Sequence, residues 1–396
     1  MVPILYRCDS MGLPDTKIGH LVDCLDCYID DEVNGKYELT ITYPLHGRNA
    51  DMIKVDTYIK AYYSASWADD KQQYFHVYKI EKQSGGTMTI YAEHMSYILE
   101  SVLLTLNQSS MTYEAQEFLQ GTKTDGTKTL FTCLAGEDVF AKFKPTYDKI
   151  NEGKISWNLA SNQTKIAYTF PKSAPYSYMS YLHGQDGSIL DKFGGFYVMD
   201  NFKVHLIELP ISESAMQGRQ LVLRLGHNAS EMSYDIDVSD VVGTVYGYAY
   251  DSEKDVLLVS DAVAVPNVSS AFKSPNTAYV DVSEQAQALL DSIKSSDSTY
   301  TLSSININKA AENFVKSRVN DGTYGLMPEN IEVTYQALSD TEAEDIKIRR
   351  PVTVKMSEYG LTMSTYVQSL HYDVLRERVE TFQIGKKQRK ISDYIA

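Results

Sequence analysis

The side chains able to do chemistry are dispersed along this sequence. Its eight histidines stand at 20, 46, 76, 94, 183, 205, 227 and 371, and no two have the i, i+4 spacing of a helical metal site. His76 and His205 fall inside strand patterns, where a hydrogen-bonded imidazole is the ordinary reading. Cys24-Leu25-Asp26-Cys27 has the C-x-x-C spacing, yet no second pair completes a four-thiolate zinc site and His20 is the only imidazole nearby. A redox pair opens a helix after a strand, whereas a β pattern follows this one. With Cys8 and Cys133, these read as reduced thiols in a reducing compartment. Asp235, Asp237 and Asp240 alternate as calcium ligands do, but a calcium loop wants glycine at its sixth position, where Asp240 stands. Gly121 to Thr129 is rich in Gly, Thr and Lys but lacks the glycine spacing and preceding strand of a P-loop. No H-E-x-x-H, G-x-S-x-G or H-x-E with a downstream P-C-x-x-C occurs. Paired carboxylates for glycoside cleavage meet only in three dimensions. No catalytic, cofactor-binding or metal residue is therefore assigned, and no cofactor is expected.

The elements that would position any site are mainly β. Tyr37 to Tyr43 alternates perfectly: Tyr37, Leu39, Ile41 and Tyr43 on one face, Glu38, Thr40 and Thr42 on the other, the period of a half-buried strand. Asn34-Gly35 supplies the positive φ of a turn before it, and Pro44 ends it for want of an N–H. Residues 1 to about 100 carry further short strands: Ile4 to Tyr6, Met52 to Val55, Tyr58 to Tyr62, and a hairpin from Phe75 to Ala92. Gly12 to Asp15 reads as a turn and Ser64 to Gln73 as a polar loop. Met95, Ile98, Leu99, Val102 and Leu103 then fit one face of a helix, and Thr112 to Gln120 reads as a second. A short helix through Ile189, Leu190 and Phe193 precedes a hairpin turning at Asp200-Asn201. Strands return over 220–225, 232–238, 244–250 and 256–259. Helices follow from Ser283 and over Asn308 to Val319, and strands over 331–335, 346–356, 363–372 and 374–384. The hairpin at 363–384 echoes the one at 75–92, pairing a Tyr/Val strand with a Thr/Ile strand.

At 396 residues, two to four domains are expected. Thirty tyrosines against twelve phenylalanines and two tryptophans suit strands with one wet face. The net charge of −15 argues against a phosphate-gripping nucleic-acid binder and against attraction to anionic membranes. No run of 18 apolar residues and no basic-plus-apolar leader is present.

One ordered set of motifs goes further. Tyr6, Val33-Asn34-Gly35-x-Tyr37-Glu38-Leu39-Thr40-Ile41-Thr42-Tyr43-Pro44, Phe75-x-Val77-Tyr78-Lys79-Ile80-Glu81 and Ile90-Tyr91-Ala92-Glu93-His94 resemble the N-terminal region of siphophage and prophage tail proteins, the prophage endopeptidase tail or tail-associated lysin family. Gly194-Gly195, Asp200-Asn201-Phe202, Leu225-Gly226-His227-Asn228, Tyr372-Asp373-x-Leu375-x-x-Arg378 and Gln383-Ile384-Gly385 continue it. The resemblance implies an α+β, mainly β fold similar to contractile-tail phage hub proteins: two related β-barrel hub modules with α/β and helical insertions. The first module would span 1–104 and the second 211–265 plus 331–396, with an α/β insertion over 105–210 and a helical insertion over 266–330. It further implies a structural baseplate hub of a phage or prophage tail, a homotrimer whose partners are the distal tail protein ring, the tape-measure protein and tip or fibre proteins. The chain would be made in the bacterial host cytoplasm, reside at the virion tail tip, and serve host cell attachment and DNA ejection. DNA would pass through without specific binding, and no membrane is involved. Three chains would carry about three times −15, a conduit charge that repels sliding DNA. The sequence departs from the family at Ile348-Arg349-Arg350-Pro351, where many relatives carry Gly-Asp. Longer relatives add a C-terminal peptidase or lysin domain and this sequence ends at Ala396, so no endopeptidase activity is expected. Two alternatives stay open: a cell-wall-degrading tail peptidase and a host-surface carbohydrate-binding module. The basic run Lys386 to Lys390 reads as a solvated tail or a docking point.

Overall fold

The computed structural model describes residues 1–106, 110–113, 117, 119, 131–151, 154–157, 166–169, 176–183, 188–193, 195–207, 221–236, 241–251, 254–266, 268, 276–294, 301–302, 304–320, 324, 329–335, 346–356 and 360–385. The chain forms two compact units: Met1–Ser233 with Ile331–Ile384, and Tyr234–Asn330 with Gly385–Ala396.

The first unit is built on one large sheet. Its early strands are β1 (Ile4–Cys8), β2 (Pro14–His20), β3 (Asp26–Glu32), β4 (Tyr37–Pro44), β5 (Thr57–Tyr62), β6 (Gln72–Lys82) and β7 (Thr87–His94). β4 is central, antiparallel to β3 on one side and β7 on the other. Its alternation is realised residue by residue, with Tyr37, Leu39, Ile41 and Tyr43 all buried. Asn34 opens the turn before it at φ 50°. The sheet then runs β7, β6, β5, β1, β2 in one direction. In the other, β3 pairs with Leu361–Asp373, which pairs with Arg378–Gly385, followed by Glu329–Tyr335 and Ala229–Ile236. The two echoing hairpins thus stand on either side of the β3–β4 pair. The path keeps two ends, and no closed barrel is found among the described residues. The mainly β character is as expected; the barrels are not seen.

Several local expectations fail for identifiable reasons. β2 takes up Pro14 and Asp15, the second half of the expected Gly12 to Asp15 turn, because Pro14 at a strand start is compatible with the ladder; β3 is an unexpected strand, running from beside the reduced thiol Cys27. Ala50–Met52 is a 3-10 turn, not part of a strand. The helical face from Met95 is a six-residue 3-10 helix, Met95–Glu100, followed by the strand Leu103–Leu106. Met95, Leu99, Val102 and Leu104 bury into one core by that change of path. Ser110–Tyr113 is strand, Glu117 and Leu119 are helical, and the rest of that expected helix lies outside the described residues. Ser64 to Gln73 is polar in composition, yet Ala65, Ser66, Trp67 and Ala68 are buried. Arg349 takes φ 63° before the Pro351–Met356 strand, a left-handed conformation that glycine adopts without strain.

Within the same unit, Lys144–Asn151 runs parallel to Lys203–Ile207, which forms a hairpin with Phe196–Asp200. The hairpin closes Asp200 against Lys203, so its two loop residues are Asn201, at φ 49°, and Phe202, one position beyond the expected turn. At Gly195, φ is 106° and a Cβ would strike the Ile207 carbonyl oxygen; only glycine fits there.

The second unit lays two helices, Ser283–Lys294 and Ser304–Asn320, on a four-stranded sheet centred on Val242–Asp251. Val245 and Ala249 are buried toward Val315, Ala286 and Ala310. At Gly247 an added Cβ would sit 2.8 Å from the Ala311 Cβ, so the small residue sets how closely the second helix approaches the strand. Among the described residues no helix is long and apolar enough to cross a membrane.

Candidate functional site

The most catalysis-like grouping joins residues far apart in sequence. Parallel pairing sets Thr146 opposite His205, and Asp148 projects from the same face two residues on. Asp148 Oδ2 lies 2.8 Å from His205 Nδ1, and the Thr146 hydroxyl donates to the same carboxylate oxygen. This is not a nucleophile triad. There the hydroxyl sits on the imidazole nitrogen opposite the carboxylate, whereas here Thr146 and Asp148 share Nδ1. His205 Nε2 faces Asp200 Oδ2 at 3.9 Å and has no hydrogen-bond partner. His205 is 2% exposed and Asp148 fully buried, so no substrate reaches them. The arrangement orders a core.

A second polar network docks the hairpin at Asn201 onto β6. Asn201 accepts from the Tyr74 N–H at 2.9 Å and donates to the Gln72 carbonyl at 2.9 Å, while its own N–H donates to Gln73 Oε1 at 3.0 Å. Gln73 Oε1 also lies 3.0 Å from His94 Nε2. His94 Nδ1 accepts from the Ser96 N–H, so Nε2 carries the proton and donates to Gln73. Burial holds the imidazole neutral, its pKa pushed down to about 3. Gln73 Nε2 donates to buried Asp200, which also accepts from the Asp69 N–H. Every buried polar group in this chain of contacts is thereby answered.

Beside it lies a pocket of about 250 Å³, lined by the β3–β4 turn, the Ala65–Trp67 segment, the Met95–Glu100 turn, Met179, His183, the Phe196–Met199 stretch and Ile348. Three acids, Asp31, Glu32 and Glu100, line it beside Asn34, Ser66, Ser96 and His183. Asp31 accepts from the Tyr63 hydroxyl at 2.8 Å, and burial, with Glu32 nearby, pushes its carboxyl up to about 7. Tyr37 stacks on His94 at 4.3 Å between centroids. Its hydroxyl is buried against Ser66. Trp67 is fixed by its indole N–H donating to the Ile348 carbonyl at 2.6 Å. Sequence reading missed Asp31 and Trp67 as site residues. The one available signal was an acid at 31 on the same face as Cys27 and Ile29.

All four cysteines are free thiols. Cys27 is buried on the core face of β3, which raises its pKa, and burial pushes Cys8 up to about 11, the opposite of an activated thiolate. Among the described residues no group of three or more His, Cys, Asp or Glu could hold a metal. Gly121 to Thr129, Asp237 to Asp240 and the basic run at 386–390 lie outside the described residues.

Residues 216–395 match the family model described as prophage endopeptidase tail. No curated protein matches the chain. Among solved structures, the chain is similar to the prophage tail protein gp18 from Listeria monocytogenes EGD-e, with 12% identity and a TM-score of 0.55 over 100% of this chain and 97% of that one. It is similar to the 43 kDa tail protein of prophage MuSo2 from Shewanella oneidensis, with 11% identity and a TM-score of 0.53 over 98% of each chain. It is also similar to the tail protein from Neisseria meningitidis MC58, with 9% identity and a TM-score of 0.53 over 98% of this chain and 96% of that one.

Proposed function

From a fold shared end to end with prophage tail proteins, and a prophage endopeptidase tail match over residues 216–395, we propose that this chain is a structural component of a phage or prophage tail. The observation that carries this reading is the two-way coverage: three tail proteins are matched over nearly their whole length as well as this chain's. A shared insertion module would leave one side uncovered.

The finer reading is a trimeric baseplate hub at the tail tip, joined to the distal tail ring and enclosing the path of the ejected DNA. Two related β modules, 1–104 and 211–265 plus 331–396, with insertions at 105–210 and 266–330, belong to that reading. The placement of the two hairpins about β3–β4 supports their relatedness. Barrel closure and the DNA conduit belong to the assembled ring. The chain acts as scaffold and not as a wall hydrolase: the buried His205–Asp148 pair is closed to substrate, and burial holds the thiols of Cys8, Cys27 and Cys133 protonated.

The test is mass in solution, alone and with the distal tail protein, together with immunogold labelling of virions. The expected outcome is a ring-bound species of three times 44.6 kDa and label at the tail tip. Label along the tail tube, or a chain that stays monomeric beside the ring, overturns the hub. Turnover of purified peptidoglycan by the full chain promotes the hydrolase instead.

A further inference from the structure

The chain has 52 acidic residues against 37 basic ones, yet Lys347, Arg349 and Arg350 stand together just before the Pro351–Met356 strand. Lys347 and Arg350 have partners inside the chain, Lys347 lying 4.7 Å from the centre of the Trp67 ring. Arg349 differs from both. Its Nε is enclosed by protein with no hydrogen-bond partner, and the titratable group that acts on it is the Tyr366 phenol, not a carboxylate. Arg376 and Arg378, by contrast, both reach Glu380. Burial lowers the Arg349 pKa, as it must for a guanidinium drawn out of water without a counter-ion. The two terminal nitrogens are not enclosed, so the open end of the fork is accessible while its base is held.

The backbone fixes where that fork stands. The Arg350 N–H donates to the Lys347 carbonyl at 3.1 Å, closing a turn whose third residue is Arg349 at φ 63°. A positive φ at that place is ordinarily left to glycine, and arginine is strained in it. The Arg349 N–H donates to the Val367 carbonyl at 2.8 Å and the Val367 N–H to the Arg350 carbonyl at 3.0 Å, so the turn is tied to the neighbouring strand. Tyr366, next to Val367 and paired across from Pro351, is 37% exposed. A guanidinium and a phenol therefore meet at one rigid surface point. The strain and the unanswered charge both cost stability, and no carboxylate among the described residues offsets either.

The missing partner is an anion, and the fork selects its kind. Parallel N–H groups of a guanidinium match the two oxygens of a planar carboxylate, and one positive charge balances one negative charge. A phosphate dianion would bring twice that charge to a chain already at −15. We propose that Arg349 anchors a carboxylate-binding site, its terminal N–H groups donating to both oxygens with the Tyr366 hydroxyl beside them. The carboxylate is carried on an Asp or Glu of a partner polypeptide or on a free small acid; the chemistry recognised is the same.

The full chain is titrated calorimetrically at fixed ionic strength with a capped Gly-Glu-Gly peptide and its neutral counterpart Gly-Gln-Gly, with acetate and acetamide, and with inorganic phosphate. At least one carboxylate should bind about tenfold or more tightly than its amide, and Arg349→Gly should remove that preference. Glycine takes φ 63° without strain, so the variant is expected to fold. The net charge of −15 repels both acids, so general electrostatics works against the expected result. A preference for the glutamyl peptide alone assigns the source to a partner polypeptide, and one for acetate to a free small acid; both support the site. Equal binding of acid and amide, no binding of either carboxylate at millimolar concentration, tighter binding of phosphate than of both carboxylates, or an unchanged preference in a folded Arg349→Gly chain overturns it. The acid–amide comparison needs no variant, so a misfolded mutant does not leave the matter open. None of these outcomes bears on the tail assignment, which rests on the fold.

Discussion

Half-buried Asp31 and fully buried His94 give the first unit two groups whose titrations pull in opposite directions. His94 is held near pKa 3, against about 6.5 in an unfolded chain. Between those values the unfolded chain binds the extra proton, so acidification costs stability at about 1.4 kcal/mol per pH unit. Asp31 is held near 7, against about 4 unfolded. There the folded chain binds the extra proton, and acidification restores stability with the same slope. From pH 6.5 to 4.5 each contributes about 2.5 kcal/mol of opposite sign, so these two contributions should nearly cancel across the window. His76 and His371, raised by carboxylate partners, have their stabilisation fully present below about 6.5 and add no slope there. Asp31→Asn keeps an acceptor for the Tyr63 hydroxyl but removes one arm of the balance. The variant should be about 3 kcal/mol more stable than the parent at pH 6.5, only about 1 kcal/mol more stable at pH 4.5, and should weaken on acidification. Urea unfolding followed by circular dichroism at both pH values measures this, the difference between the two chains cancelling every other titration. If both chains change in parallel, or the variant gains nothing at pH 6.5, the opposed-pair account is wrong.

Ile41→Ala deletes a fully buried side chain at the centre of β4 and should cost about 2–5 kcal/mol by chemical denaturation. Gly247→Val drives a branched side chain against Ala311 and Val282; a loss of about 1–3 kcal/mol is expected in the second unit, read by hydrogen exchange confined to Val242–Asp251 and Ser304–Asn320. Cys27 should resist iodoacetamide in the native protein while Cys8, Cys24 and Cys133 label slowly, and mass spectrometry with and without urea separates them. His205→Gln should lower stability by about 1–3 kcal/mol without changing any measured hydrolytic rate, and a rate that fell with it would make the buried pair catalytic.

The legible parts of the fold are those where one residue class fixes one face. β4 declares itself through four apolar and three polar positions in strict alternation, and the Asn34-Gly35 turn through the only residue types that take its angles cheaply. β3 hides because its alternation is carried by Cys27, Ile29 and Asp31, so that only two positions of its core face are apolar, and Asp26, Asp30 and Glu32 crowd the pattern with acids. Asp30 is answered by Lys36 and His371, neither of which is visible as a neighbour in the sequence. The Met95 stretch misleads for a different reason: a 3-10 helix followed by a strand can place i, i+3, i+4 and i+7 in one core as well as an α-helix can. The pocket and the Thr146–Asp148–His205 group were beyond reading, since each is assembled by strand pairings between distant segments. The resemblance to tail proteins was legible because it depends on the order of many weak motifs.

The pairing of β3 with Leu361–Asp373 has a consequence for how the molecule is made. His371 and Asp30 meet across 341 residues of chain, so during synthesis β3 waits, with one edge open, until Leu361–Asp373 has left the ribosome. An unpaired edge beside an apolar face is a template for a wrong partner, and closing so long a loop slows folding more than it weakens the product. A nascent chain released before Leu361 should therefore associate with its own copies through β3, while a chain that includes Leu361–Asp373 has that edge sealed from within.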